Sequence, residues 1–208
     1  MAPLARKDPL FEEGAALLGD LIQIEAQSLS GRERNRLFQN LGSGRFTEVA
    51  AVAGVDLVQD GRGVATGDLD SDGDLDLVVS NRNAPRLVIL RNDARNPGNY
   101  LAVRTVGRGS NRQGIGTKLT LRCGKRIQVR TIQLGTGYVS QSDATAWFGL
   151  GDCAEVRFLE VAWPSGTRQR FHAIEVNRTI TIMEGSAEVQ AAPGGSPDGD
   201  HGRPPRLP

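Results

Sequence analysis

Apolar and polar residues alternate with a period of two along most of the second half of the chain, which predicts short β-strands with one buried face. The segment from Ile127 to Leu134 shows this alternation clearly. Seven such segments lie between Tyr100 and Glu184, and turns containing glycine separate nearly all of them. We therefore predict a small β-sandwich or barrel. The strands are expected at 101–106, 117–122, 127–134, 146–150, 156–163, 168–171 and 179–183.

The first half of the chain has a similar texture. Arg36–Leu41 and Phe46–Val49 read as two strands joined by the turn Gly42–Gly44, which predicts a hairpin. Leu90, Arg91 and Asn92 follow an apolar run and echo Phe38, Gln39 and Asn40 about fifty residues earlier, a spacing typical of propeller blades or solenoids. Two partial copies cannot close a ring, so we expect the chain to carry the end of a longer repeat array, as the C-terminal part of a larger repeat protein.

The two ends of the chain differ from this pattern. Apolar residues within 9–27 fit one face of a helix loosely, and the last residues are rich in proline and glycine and poor in core-forming residues, which predicts a disordered tail. The predicted fold class is all-β. The expected organisation is an N-terminal segment over 1–34, a repeat over 35–97, a β-domain over 98–185 and a disordered tail over 186–208.

Charge and hydropathy exclude several classes of function. The chain of 208 residues has 25 Lys and Arg against 24 Asp and Glu, so no net field attracts nucleic acid. No apolar run reaches the roughly 18 residues of a membrane span. The N-terminus lacks the apolar core of a secretory signal, so we expect either an intracellular chain or a fragment of an exported one.

The two cysteines, Cys123 and Cys153, leave two possibilities open: one disulfide bridge, or two unrelated core thiols.

The run DLDSDGDLD places five aspartates at alternate positions around Gly73. Carboxylates this close together repel one another unless a cation neutralises them. Calcium accepts six to eight oxygen ligands in flexible geometry, which suits loop positions 1, 3, 5 and 9 through side chains and position 7 through its carbonyl. The predicted ligands are Asp68, Asp70, Asp72 and Asp76 by side chain and Asp74 by its carbonyl.

The same loop departs from an EF-hand, because its twelfth position is Val79 where a bidentate glutamate belongs. Extended segments at Gly63–Thr66 and Leu75–Val79 flank it, which favours a calcium site within a propeller blade. Zinc and iron fit poorly because no His or Cys lies nearby in sequence, and magnesium demands stricter octahedra. The alternative is a solvated acidic turn that binds no metal.

These motifs together resemble known families. The stretch from Arg36 to Asn92 resembles FG-GAP or VCBS-type repeats. The stretch from Asn99 to Glu184 resembles the ASPIC/UnbV domain through the four motifs NRQGIG, GYVSQS, WFGLG and VAWPSG, and the module order is similar to that of the cartilage acidic protein family and its bacterial relatives. The resemblance implies an extracellular or periplasmic, non-enzymatic adhesion or interaction protein with Ca2+ as its metal, no catalytic residues, and an unknown protein or glycan partner.

Other motifs carry weaker signals. An accessory enzyme or a carbohydrate-binding protein with a structural calcium is the alternative function, but His172 is the one histidine available to a catalytic triad in the predicted folded part. Trp147 and Trp163 read as core or sheet-packing aromatics more readily than as a sugar platform. The basic residues from Arg104 to Lys118 read as solvated charge, with partner binding as the alternative.

Overall fold

A computed structural model describes residues 33–93, 98–135 and 137–191, and the helix predicted within 9–27 lies outside these ranges. The chain forms two compact units. One contains Arg62 and the described residues before it, together with Ser80–Val88, and the other contains Gly63–Val79 and the described residues from Ile89 onward. Among the described residues, no helix has both the length and the apolar character that a membrane crossing requires.

The described residues form thirteen strands and one short helix, so the all-β prediction is confirmed. In chain order, the elements are β1 Phe38–Gly42, β2 Arg45–Glu48, α1 Ala50–Ala53, β3 Gly61–Gly67, β4 Asp76–Asn81, β5 Leu87–Leu90, β6 Asn99–Val106, β7 Lys118–Cys123, β8 Arg126–Thr131, β9 Ala146–Gly151, β10 Glu155–Ala162, β11 Arg168–Glu175, β12 Arg178–Met183 and β13 Val189–Ala191.

The second half of the chain forms two four-stranded sheets around one core, with no closed barrel in the described residues. One sheet has the order β11-β10-β7-β8 and the other β13-β12-β6-β9. Alternate residues of both sheets point inward, among them Leu101, Leu121, Phe148, Leu159 and Ile182, and each is at most 1% exposed. Burial of an aliphatic side chain of this size contributes about 2 kcal/mol, so this core is the main source of stability.

The seven strands predicted between Tyr100 and Glu184 are all present as β6 to β12, with their ends shifted by a few residues. Of the two possibilities, the sandwich is the one observed. Trp163 is 3% exposed within the core, as its assignment to the core predicted.

Two side chains of β8 hydrogen-bond the backbone of β9, which belongs to the other sheet. Gln128 Nε2 donates to the Gly149 carbonyl at 2.8 Å, and Arg130 Nε donates to the Trp147 carbonyl at 3.3 Å. These bonds satisfy carbonyls on an edge strand that has a strand neighbour on one side only.

The predicted N-terminal hairpin is present as β1 and β2, which pair antiparallel from Phe38 opposite Glu48 to Gly42 opposite Arg45. The two central turn residues have positive φ, 53° at Ser43 and 73° at Gly44, as the I′ turns of hairpins require. The second predicted strand ends before Val49, and the chain then forms α1, which the sequence analysis did not predict.

A three-stranded sheet has the order β3-β4-β5 and contains the extended segments predicted on both sides of the acidic run.

The beginning of the C-terminal segment differs from the prediction of a disordered tail from residue 186. Val189–Ala191 form β13, which pairs antiparallel with Ile180–Ile182 of β12. The reason is the half-buried side chain of Val189, which packs against the core. Residues 192–208 lie outside the described ranges.

The structure resolves the alternative that the sequence left open for the cysteines, because Cys123 and Cys153 form a disulfide. The bridge ties the end of β7 to the loop before β10, across a sequence separation of 30 residues. Cross-linking two points of the unfolded chain lowers its entropy, which stabilises the folded state.

We therefore predict that loss of this disulfide lowers the free energy of unfolding of the sandwich by about 3 to 4 kcal/mol. Thermal unfolding with and without a reductant measures the effect. The variant Cys123→Ala/Cys153→Ala serves as the control and should show no response to reductant. Equal unfolding temperatures for the oxidised and reduced wild-type protein would contradict the prediction.

Glu184 connects the end of β12 to two loops through its buried carboxylate. Its Oε2 accepts hydrogen bonds from the backbone amides of Arg108, Gly109 and Ser110 at 2.7 to 2.8 Å, and its Oε1 accepts from the hydroxyls of Ser110 and Ser165. Burial raises the pKa of Glu184, but the bonds from Ser165, Ser110 and Arg108 outweigh burial and lower the pKa to about 2.

A lowered pKa makes stability depend on pH in one direction. The contribution of Glu184 is present above its ordinary value of 4.5 and is lost as the pH falls towards 2, because the unfolded state then takes up the proton first. We expect Glu184→Gln to lower the unfolding temperature at pH 7 and to reduce its fall between pH 4.5 and 2. Circular dichroism melts across this range measure both effects, and an unchanged acid slope in the variant would refute the role of Glu184.

Candidate metal site

The acidic run forms the connection between β3 and β4, and the structure brings three of its five aspartates together. Asp68, Asp70 and Asp76 each offer one carboxylate oxygen such that the three oxygens lie within 4.8 Å of one another. Asp68 and Asp70 belong to the loop, whereas Asp76 is the first residue of β4. The cluster therefore combines two side chains of the loop with one side chain of the strand β4.

Asp76 is 1% exposed and is held by backbone amides on both carboxylate oxygens. Its Oδ2 accepts from Leu69 N–H at 2.9 Å, and its Oδ1 accepts from Asn92 N–H at 2.8 Å. A carboxylate oxygen has two lone-pair sites, so each oxygen of Asp76 keeps capacity for a further partner. These bonds fix the orientation of Asp76 and connect the loop to the chain that follows β5.

Two buried oxygens of the loop have no hydrogen-bond partner among the described residues: Asp68 Oδ1 and Asp74 Oδ1. Burial, followed by the charge of Asp72, raises the pKa of Asp74 to about 6. Burial also raises the pKa of Asp68, against the hydrogen bonds from the Gly73 and Ser71 amides. Buried acceptors without a donor are costly, and a cation satisfies them.

Of the four aspartates predicted to bind through their side chains, Asp72 is the one that lies outside this compact trio. Its Oδ1 accepts from the Asp74 amide at 3.1 Å, which is the local turn that aspartate favours. Its charge still acts on the site, since it raises the pKa values of both Asp68 and Asp74. On the rim, Arg91 lies 3.9 Å from Asp70.

Gly73 has φ +94°, a conformation that residues with a side chain rarely adopt. A Cβ at this position would lie 2.3 Å from Cε1 of Tyr100, so the loop sits directly against that ring. Tyr100 in turn stacks on Trp147 at a centroid distance of 5.6 Å. The glycine thus permits both the turn and the close contact with β6.

Tyr100 and Asn92 are the residues near the loop that sequence reasoning missed. Asn92 donates through its backbone, so its side chain gave no signal, and Tyr100 appeared only as the start of a strand. Burial raises the pKa of Tyr100, and the negative charges of Asp68 and Asp72 raise it further. The Tyr100 hydroxyl therefore interacts electrostatically with the acidic loop.

The carboxylates fit a hard divalent cation, because they offer oxygen atoms as ligands. Asp68, Asp70 and Asp76 are the side chains best placed to hold it.

Besides the contact of Gly73 with Tyr100, hydrogen bonds link β3 to the motif GYVSQS at residues 137–142. The Thr66 amide donates to Ser142 Oγ at 3.1 Å, and the two hydroxyls lie 3.3 Å apart. The strand that leads into the acidic loop is therefore held at its end by a loop of the β-domain.

Comparison with protein families gives three matches along the chain. A model for the FG-GAP-like repeat matches residues 20–79, and a model for the FG-GAP repeat matches residues 61–100. A model described as ASPIC and UnbV matches residues 107–189. The FG-GAP matches include the acidic loop, and the ASPIC and UnbV match covers β7 to β12 and ends at the first residue of β13.

Individual relatives share a short, well-matched segment with this chain. Cartilage acidic protein 1 of Xenopus tropicalis is 48% identical over 58 residues, which is 27% of this chain and 9% of that protein. The proteins of the same name from Mus musculus and Homo sapiens are also 48% identical, over 61 and 58 residues, and these matches likewise span 9% of their length. The chain therefore carries FG-GAP repeat sequence followed by an ASPIC and UnbV domain, and it is homologous to cartilage acidic protein 1, as the resemblance predicted.

Proposed function

We propose that this chain is a calcium-binding, non-enzymatic interaction module in which the metal orders the loop between β3 and β4. The observation that carries the proposal is the convergence of Asp68, Asp70 and Asp76 around oxygens that have no partner in the described chain. Three carboxylates this close disfavour joint ionisation in the absence of a cation. Calcium relieves that repulsion and supplies the missing partner for Asp68 Oδ1.

The proposed ligands are Asp68, Asp70, Asp72 and Asp76 through their side chains and Asp74 through its backbone carbonyl. Asp72 lies outside the compact trio, and its place among the proposed ligands rests on its position in the loop. The role of the metal is structural, because the loop lies against Tyr100 of β6 and its order supports that end of the sandwich. Calcium has no catalytic task in this proposal.

Function and location follow from the family in this proposal. FG-GAP and ASPIC and UnbV sequences, together with homology to cartilage acidic protein 1, favour an extracellular interaction role for the whole protein. The disulfide supports an oxidising compartment, since such bridges persist mainly outside the cytosol. Adhesion to a protein or glycan is the form of interaction that we propose.

Two substitutions four residues apart, at Asp70 and Asp74, test the ligand assignment. Calcium at 100 times its Kd should stabilise the wild-type protein by about 2.7 kcal/mol, which raises the unfolding temperature by roughly 5 to 10 °C. Asp70→Asn should weaken calcium binding at least about tenfold, because calcium affinity follows the number of charged ligands. Asp74→Asn should retain calcium-dependent stabilisation, because its carbonyl is unchanged.

The unfolding temperatures of the wild-type protein, Asp70→Asn and Asp74→Asn are measured at a series of calcium concentrations and in chelator. Asp56→Asn is the matched control, since Asp56 pairs with Arg34 outside the metal loop and the same charge is lost. If Asp74→Asn loses as much calcium response as Asp70→Asn, the Asp74 carboxylate is a ligand and the assignment is wrong. If the wild-type protein shows no calcium response, the proposed function fails.

The raised pKa values predict opposite pH dependences with and without the metal. Without metal, the folded state retains the proton of Asp74 up to about pH 6, so stability should fall as the pH rises from about 4 to 6. With calcium, stability should rise over the same range because the ligands must be deprotonated to bind. Melting curves in chelator and in excess calcium measure the two slopes.

Asp74→Asn should flatten the slope in chelator, because it removes the carboxyl group whose pKa is raised to about 6. Parallel slopes for the wild-type protein in calcium and in chelator would show that the acidic loop is not the metal site.

A further inference from the structure

The outer face of the sheet β11-β10-β7-β8 carries an ordered grid of exposed and half-buried side chains, which we call the outer grid. The strand registers align its members in three rows across four strands. The rows are Thr131, Lys118, Ala162 and Arg168; then Val129, Thr120, Glu160 and Arg170; then Ile127, Arg122, Phe158 and His172.

The outer grid is strongly cationic, although the whole chain has a net charge of only +1. It holds four lysine and arginine side chains and one carboxylate, Glu160. Glu160 pairs with Arg170 at 2.9 Å, so its charge is already compensated. In the part of the chain that the structure describes, Lys118, Arg122 and Arg168 have no carboxylate partner. Arg122 Nε donates to the Gly124 carbonyl at 3.3 Å, which leaves Lys118 and Arg168 as the two cations free for an external anion.

The two free cations face each other across a small residue. Lys118 and Arg168 both pair with Ala162, one from each side of β10, so their backbones lie roughly 10 Å apart. A depression of about 300 Å³ lies between them, and it is also lined by Thr120, Gln169 and the ion pair of Glu160 with Arg170. A depression of this size holds one anionic group or one sugar unit, since small-molecule sites begin at about 300 Å³.

The composition of the outer grid favours a polyanion without bases and without large apolar groups. Protein interfaces are centred on buried aromatic anchors, and the depression has none. Single-stranded nucleic acid needs an open aromatic face on which bases stack, but the guanidinium of Arg170 covers the ring of Phe158 at 4.3 Å. The apolar residues Ile127 and Val129 lie on the edge strand, away from the depression.

We propose that the outer grid binds a sulfated polysaccharide, with Lys118 and Arg168 holding successive sulfate groups and Ala162 as the floor between them. Sulfate stays ionised at neutral pH, and lysine and arginine donate charge-assisted hydrogen bonds to its oxygens. Glu160 also lines the depression, where its carboxylate is paired with the guanidinium of Arg170. This inference deepens the proposed function, because it names the class of partner for the interaction module.

The test measures binding of a fluorescently labelled, sulfated glycosaminoglycan octasaccharide to the full chain by anisotropy at several salt concentrations. The wild-type protein should bind it, bind more weakly as salt rises, and bind the desulfated octasaccharide far less. Lys118→Gln/Arg168→Gln should weaken binding at least about tenfold, because two charge-assisted contacts are lost. Glu160→Gln should bind a few-fold more tightly, since it removes the one carboxylate of the outer grid.

The matched control is Arg104→Gln/Arg178→Gln, which removes the same charge from strands β6 and β12 of the other sheet. Circular dichroism and unfolding temperature establish that each variant is folded. Equal weakening in both double variants would overturn the proposal by showing a non-specific charge effect. An acidic polyglutamate peptide that binds more tightly than the octasaccharide would also overturn it in favour of a protein partner.

Measurements in calcium and in chelator separate this proposal from the metal site. The outer grid contains no residue of the acidic loop, so binding of the octasaccharide should persist in chelator. Binding that persists while the loop shows no calcium response would refute only the metal function. Absence of binding at low salt by a protein that responds to calcium would refute only the polysaccharide site.

Discussion

The repulsion among carboxylates in one short loop is the constraint on which the proposed function depends. The fold places Asp68, Asp70 and Asp76 with their oxygens within 4.8 Å, and it buries part of the charge that they carry. Backbone amides compensate Asp76 well and Asp68 in part, but Asp74 remains with a pKa of about 6. In the proposed function, a divalent cation would share these carboxylates as ligands and offset their mutual repulsion.

The loop is joined to the β-domain, so its order affects more than its own residues. Gly73 allows the backbone to approach the Tyr100 ring, and Tyr100 stacks on Trp147 of β9. The Tyr100 backbone also exchanges hydrogen bonds with Asn177 before β12, through its carbonyl at 2.7 Å and its amide at 3.1 Å. These contacts connect the acidic loop to β6, β9 and β12, the strands through which the proposed metal binding would act on one sheet.

The sequence predicted the strands of the β-domain well because their side chains alternate between a buried and an exposed face, and Leu119 and Leu121 between polar residues are typical of this pattern. The hairpin turn and the flanking strands of the acidic loop were also predictable, from glycine and from apolar runs. The helix Ala50–Ala53 was missed because its four residues are too few to show a helical period.

Features that arise from long-range pairing gave no sequence signal. The strand Val189–Ala191 forms because β12 offers it an edge, and the disulfide depends on two cysteines whose separation of 30 residues says nothing of their distance. The acidic loop itself was evident from the sequence, but which of its aspartates converge, and which amides hold them, was not. Amide donors such as Asn92 reach Asp76 only through the fold.

The outer grid illustrates the same limit. Lys118 and Arg168 are fifty positions apart and appear in the sequence as unrelated surface charge, yet strand register brings both beside Ala162. A nearly neutral chain can thus carry a cationic face when one sheet collects positive side chains. The acidic loop and the cationic sheet face are separate sets of residues within one unit, which is consistent with separate structural and binding roles.

Isothermal titration calorimetry of the metal-free, folded wild-type protein with calcium tests the central claim most directly. The account predicts one saturable site per chain with a Kd below about 1 mM, the range of extracellular calcium modules, and weaker binding of magnesium. Absence of any saturable heat up to several millimolar calcium, with the fold intact by circular dichroism, would contradict it.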